Sequence, residues 1–206
     1  MAGIERERQM SRQAVEDLVG PPVPESVRRR NNAVRDINDR LIEQENSKTN
    51  PKGGWNEAEK KWYPHDSAEG GAKTIAYGVK LSNGSKWAKT AQEQGFLTDE
   101  QAQDAVWEMS NAAYESAKKR YNKRYPNDAN AWDNLNHKQQ SILADYEYNG
   151  VLKKFGKFMD AMHDGDIEAM RRESPRYSGT KPLTRRNERI LRDIDSLETH
   201  YPIPGR

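Results

Sequence analysis

Residues 69–81 read EGGAKTIAYGVKL. Gly70 and Gly71 let the backbone turn sharply, and beyond them Ile75, Tyr77, Val79 and Leu81 alternate with Thr74, Ala76, Gly78 and Lys80. Alternation of apolar and polar residues marks a half-buried strand, so a strand is expected over 74–81, entered from a tight turn. It is the one convincing strand in the sequence. Nearly all other apolar positions fall at helical spacing, which makes the chain α+β, a small sheet lobe among helices.

Working upstream, residues 24 to about 45 carry Val27, Val34, Ile37 and Leu41 at helical spacing between Asn and Arg residues, one amphipathic helix. Trp62 and Tyr63 start a possible further strand, followed by a turn-rich stretch over 64–71. Before the helix, Ile4, Met10, Val15 and Leu18 are too sparse for a core, and Gly20, Pro21, Pro22 and Pro24 break any helix. Residues 1–23 therefore read as an arm with a stiff linker, 24–199 as the folded domain and 200–206 as a tail.

Downstream, a short helix around Trp87 is closed by Gly95. Thr98 with Gln101, and Asn136 with Gln139, are spaced as capping boxes that open two helices. The first puts Ala102, Val106, Met109 and Ala113 on one side; the second buries Ile142, Leu143 and Tyr146. Val151, Phe155, Phe158, Met159 and Met162 mark a helix that Gly165 ends, and Leu183, Ile190, Leu191, Ile194 and Leu197 mark the last one, after a loop over 178–182. The expected layout is a small β lobe and a helical bundle lobe joined by a helix.

Of the 206 residues only 33% are hydrophobic and 32% are charged, so the core must be small for the length. No apolar run approaches the length of a membrane span, and the first residues lack the apolar centre of a secretory signal, so no membrane insertion is expected. Cysteine is absent, which excludes disulfides and thiolate chemistry, and the four histidines have no metal-ligand spacing; neither metal nor cofactor is expected. Thirty-four basic against 32 acidic residues leave a net charge of +2, too balanced to argue for a nucleic-acid partner.

Two places carry possible chemistry. On a helical wheel Glu45 continues the stripe of Val34, Ile37 and Leu41, while Glu43 points to the opposite side. A carboxyl partly removed from water at a helix end keeps its proton and can serve as a general acid; at a frayed end it is an ordinary solvated group, and spacing alone leaves both open. The segment 69–74 then brings Asp66, Glu69 and the Thr74 hydroxyl to one end of the small sheet. A carboxylate there, facing a second across a cleft, suits a reaction in which one group protonates a leaving oxygen and the other activates water. The same residues also fit a turn with acidic decoration.

With these residues in view, the string EGGAKTIAYGVKL resembles the glycine-containing loop and first strands of lysozymes of the T-even phage type. LNHKQQSILADYEYN, over 135–149, resembles their central helix, and the segments 155–170 and 182–190 (PLTRRNERI) resemble the closing part of the family in the same order. The resemblance covers about residues 34 to 198. It implies a lysozyme-like fold and a muramidase that hydrolyses the β-1,4 bond between N-acetylmuramic acid and N-acetylglucosamine. Glu45, followed by Asn46, matches the family's acid, and Thr74 matches the threonine that helps hold the attacking water. Glu69 is the candidate second carboxylate, one residue closer to Thr74 than the family's aspartate, whose place Ala68 occupies. Asp66 and Tyr77 are candidate substrate contacts. Val79 stands where the family usually has histidine, and the 45–74 connection is longer than the family norm.

What the resemblance implies for partners is bacterial peptidoglycan, together with other phage virion proteins bound through residues 1–23. The protein is then made in the host cytoplasm and carried in the virion, or else acts on the host wall after lysis. Two alternatives belong beside it: a structural virion protein with a lysozyme fold and a degenerate cleft, and a lytic transglycosylase, which needs one acid and no water-activating base. The five tryptophans fit either core anchors or sugar platforms.

Overall fold

A computed structural model describes residues 23–45, 48, 53–66 and 73–200, with the backbone alone for Gln44, Glu45, Ser178, Thr199 and His200. The arm up to Pro22, Glu69 with its two following glycines, and the tail after His200 lie outside the described residues. Seven α-helices stand among the described residues: α1 (Glu25–Glu45), α2 (Lys86–Gln94), α3 (Asp99–Arg124), α4 (His137–Tyr148), α5 (Gly156–Asp164), α6 (Ile167–Glu173) and α7 (Thr184–His200). The strands are short: β1 (Trp55–Asn56), β2 (Lys61–Trp62), β3 (His65–Asp66), β4 (Lys73–Ile75), β5 (Val79–Lys80), β6 (Leu97–Thr98), β7 (Tyr177–Ser178) and β8 (Lys181–Pro182). They form antiparallel sheets ordered β1-β2-β6 and β3-β4-β5 and a small β7-β8 hairpin, so the fold is α+β.

Helix α1 begins and ends where the apolar stripe does. Val34, Ile37 and Leu41 are fully buried against α3 and α4, and Ala33 completes the face. The two capping boxes are present with both halves: the Thr98 hydroxyl accepts from the Gln101 amide while the Gln101 side chain accepts from the Thr98 amide, and Asn136 with Gln139 repeats the arrangement. Each satisfies donors that a helix start leaves open. Gly95 and Gly165 close α2 and α5 in the left-handed conformation.

The expected strand over 74–81 is instead a hairpin. Ala76 (φ 51°) and Gly78 (φ 93°) turn the chain, β4 pairs with β5 through Ile75↔Val79, and the alternating apolar residues are divided between two strands and their buried turn. Nor is it alone: two-residue strands such as His65–Asp66 fall inside the stretch read as turns. The helix expected from Val151 to Gly165 is interrupted; a 3-10 turn at Leu152–Lys154 precedes α5, and α6 is a separate helix capped by Asp166.

The bundle centres on α4. Its Tyr146 and Phe158 from α5 stack with ring centroids 5.2 Å apart, while Trp132 donates to the Tyr114 hydroxyl at 2.9 Å. Trp62 and Trp132 are the tryptophans wholly inside the core, and Trp107 is exposed. Two arginines are buried with them, each paired with a carboxylate. Arg40 meets Asp193 at 2.8 Å and donates to the Ser141 hydroxyl at 3.0 Å, joining α1, α4 and α7. Arg176 meets Asp145 at 3.1 Å, joining α4 to the segment before β7.

Candidate active site

Antiparallel pairing decides what surrounds Thr74. The register sets His65 opposite Thr74 and Asp66 opposite Lys73. Neighbouring residues of a strand point to opposite faces, so His65 and Thr74 share one face and Asp66 and Lys73 the other. Thr74 is buried and His65 partly so, while Asp66 and Lys73 are exposed. The Thr74 Oγ1 lies 3.3 Å from His65 Nε2, and His65 Nδ1 lies 3.3 Å from the carbonyl oxygen of Tyr63. A carbonyl can only accept, so in the neutral imidazole Nδ1 carries the proton, and the lone pair of Nε2 faces the threonine hydroxyl.

The imidazole is seated by glycine. Gly54 has φ +75°, its carbonyl accepts from the Tyr63 amide at 2.7 Å, and a Cβ built on it would stand 2.1 Å from the Tyr63 oxygen and 2.9 Å from His65 Nδ1. Only a residue without a side chain leaves this space. His65 is next to Asp66 in the chain, but the two point to opposite faces. The pairing gives it Thr74 instead, and a nine-residue separation carries no periodic signal of that kind.

Tyr77 sits in the turn between β4 and β5 and is 3% exposed. Its ring lies 4.9 Å from that of Trp62, which lies 5.0 Å from Trp55. Burial, with the nearby Asp99 carboxylate, pushes its phenol up to about 12. Such a side chain anchors the turn and offers little surface to a sugar. Lys48, from the long connection, reaches Asp99 at 2.7 Å and lies 4.4 Å above the Trp55 ring, tying that connection to the start of α3. Burial raises the Asp99 carboxyl, but hydrogen bonds from Lys48, Trp62 and Gln103 outweigh it and hold the group below its ordinary value.

The acid candidate stands at the end of α1. The helix runs unbroken through Glu45, one turn beyond the buried Leu41. Glu43 is exposed and forms an ion pair with Arg189 of α7. Arg186, one turn earlier in α7, donates to Asn149 at the end of α4. From that same end the Tyr148 hydroxyl lies 3.5 Å from the backbone oxygen of Tyr77. The end of α1, the arginine-bearing start of α7 and the hairpin that carries Thr74 therefore meet around the end of α4. Val79 is 1% exposed and belongs to the core.

A cavity of about 610 Å³ lies elsewhere, at the other end of α1, lined among others by Glu25, Arg28, Arg29, His137 and His163. Its arginines are already engaged: Arg28 with Glu25, and Arg29 with the carbonyl oxygens of Asp133 and Leu135. Volume alone does not make it the site, since its cations are spent on the fold. Among the described residues no cluster of three or more His, Asp or Glu side chains is placed to hold a metal ion, and no helix is long and apolar enough to cross a membrane. In comparisons with protein-family models, curated proteins and solved structures, the chain matches none.

Proposed function

We propose that the chain is a phage-type muramidase that hydrolyses the N-acetylmuramic acid to N-acetylglucosamine bond of peptidoglycan and is carried in the virion. The observation that supports it best is the meeting of three elements: a helix that runs through Glu45 one turn past the buried Leu41, a hairpin holding the Thr74 hydroxyl in a hydrogen bond, and an arginine-bearing last helix. In this reading Glu45 gives its proton to the glycosidic oxygen as the bond breaks, and Thr74 holds the water that attacks the sugar carbon. An inverting reaction needs about 6.5–9.5 Å between acid and base, room for that water.

Digestion of purified peptidoglycan with mass analysis of the products tests the proposal. Glu45→Gln removes the proton and lowers the rate by about 100-fold or more, without loss of folding. Glu43→Gln breaks an exposed ion pair and leaves the rate nearly unchanged. Equal rates for Glu45→Gln and the unaltered protein refute the assignment of the acid, and 1,6-anhydro sugar ends indicate a transglycosylase.

The buried Val79 and the outward-facing Asp66 favour the second reading, a virion structural protein with a degenerate cleft. No release of muropeptides by the unaltered protein would decide for it. For the arm, deletion of residues 1–20 is expected to leave thermal stability nearly unchanged and to abolish entry into particles. Normal incorporation would remove the proposed virion contact.

A further inference from the structure

Taking the muramidase reading as its premise, we propose that His65 is the positioning residue of the hydrolytic step and receives the water's proton through Thr74, the part that a carboxylate plays in the family the sequence resembles. Three observations carry it. The register makes His65 and Thr74 a cross-strand pair on one face, with Nε2 3.3 Å from the hydroxyl oxygen. The Tyr63 carbonyl accepts a hydrogen bond from Nδ1–H of the neutral ring, which leaves Nε2 as an acceptor, and Gly54 keeps open the space in which that orientation is held. Asp66, the neighbouring carboxylate, lies on the opposite face beside Lys73.

The hydrogen-bond directions then follow. The Thr74 proton points at Nε2, so the lone pairs of Oγ1 face away from the ring and can accept from water. As the water oxygen bonds to the anomeric carbon, its proton moves to Oγ1 while the Thr74 proton moves to Nε2. The bond from that carbon to the leaving oxygen breaks with its electron pair, and the leaving oxygen takes the proton of Glu45. One water is consumed and two hydroxyls are formed. His65 ends as imidazolium and Glu45 as carboxylate, and solvent carries the proton back between them.

The test uses the full chain on purified peptidoglycan, with release of reducing ends as the rate. His65→Ala is expected to lower kcat by about 100-fold, the scale of a lost general base, with KM within about twofold. Thr74→Val falls equally, and the double variant falls no further, because both break one relay. His65→Gln supplies a carbonyl that orients the hydroxyl but takes no proton, and so recovers no more than about tenfold. Independently of activity, long-range proton–nitrogen NMR of the unaltered protein shows His65 protonated at Nδ1 and bare at Nε2. Thermal melts identify any variant that has merely unfolded, and the Nε2 signal then decides.

Several results overturn the inference: a His65→Ala rate within threefold of the unaltered protein, a raised KM with kcat unchanged, losses that multiply in the double variant, or a proton found on Nε2. A Glu69→Gln rate far below that of His65→Ala places the base in the 67–72 loop instead. If the unaltered protein releases nothing, the muramidase reading fails and this inference with it; if it cleaves and His65→Ala cleaves as well, the inference alone fails.

Discussion

Replacing Asp145 by asparagine should be among the most damaging conservative changes in this chain. Asp145 and Arg176 are both almost fully enclosed and meet at 3.1 Å, with the guanidinium also 5.1 Å from the centre of the Tyr146 ring. Asparagine keeps the shape but strands a buried guanidinium without its counter-charge, which costs about 3–5 kcal/mol. In a domain of this size each kcal/mol lowers the melting temperature by about 2–4 °C, so a fall of about 6–20 °C is expected. The pair is not fully satisfied as it stands: Asp145 Oδ1 and Arg176 Nε have no hydrogen-bond partner among the described residues. Exchanging both residues for apolar ones of similar volume, Asp145→Leu with Arg176→Met, should therefore recover most of the loss. Urea unfolding followed by circular dichroism gives all corners of the cycle. If Asp145→Asn stays within about 1 kcal/mol of the parent, or the double variant is as unstable as the single losses summed, the buried pair is not the source of stability argued here.

Gly54→Ala should cost at least about 3 kcal/mol, from a left-handed residue gaining a side chain and a Cβ pressed on the Tyr63 oxygen, whereas Gly150→Ala, with φ +68° and open space, should cost only about 1–2 kcal/mol. Equal melting temperatures for the two variants would dismiss the contact. Hydrogen bonding from Arg120, opposed by burial and helped by Ser116, holds the Glu147 carboxyl below its ordinary value. Its stabilisation is therefore complete above the unfolded carboxyl range and is lost as pH falls through the depressed folded value. Glu147→Gln should be less stable than the parent by about 1–2 kcal/mol near neutral pH, with the gap closing below about pH 4; a gap independent of pH contradicts the sign.

Legibility in the sequence followed the length of the signal. Helix starts were readable because Thr98 with Gln101 and Asn136 with Gln139 act within a single turn, and α1 was readable because its stripe repeats over several turns. The strands were not, since two residues cannot display an alternation; the eight-residue pattern over 74–81 was a hairpin whose turn is itself buried. Nothing in the local sequence marks Arg40 or Asp145 for burial, which depends on partners far along the chain. Of the candidate site, a helix reaching Glu45 and the place of Thr74 in a small sheet were legible. The pairing of His65 with Thr74 was not, because strand register is a property of pairing and leaves no mark on either strand alone.

The links from α1 to α7 also set a timetable for synthesis. Glu43 and Arg189 stand 146 residues apart, and the Arg40 to Asp193 bridge spans a similar length. At a ribosomal pace of about 5–20 residues per second, α1 waits about 8–30 s for the helix that neutralises its buried arginine. During that wait it can lie against α3 and α4 as they emerge, but Arg40 must remain in water, and the bundle cannot close around it. Helix α7 is thus the latch of the nascent chain: a ribosome that stalls before it holds a polypeptide whose first helix lacks the counter-charge of Arg40, exposed to proteolysis until α7 emerges.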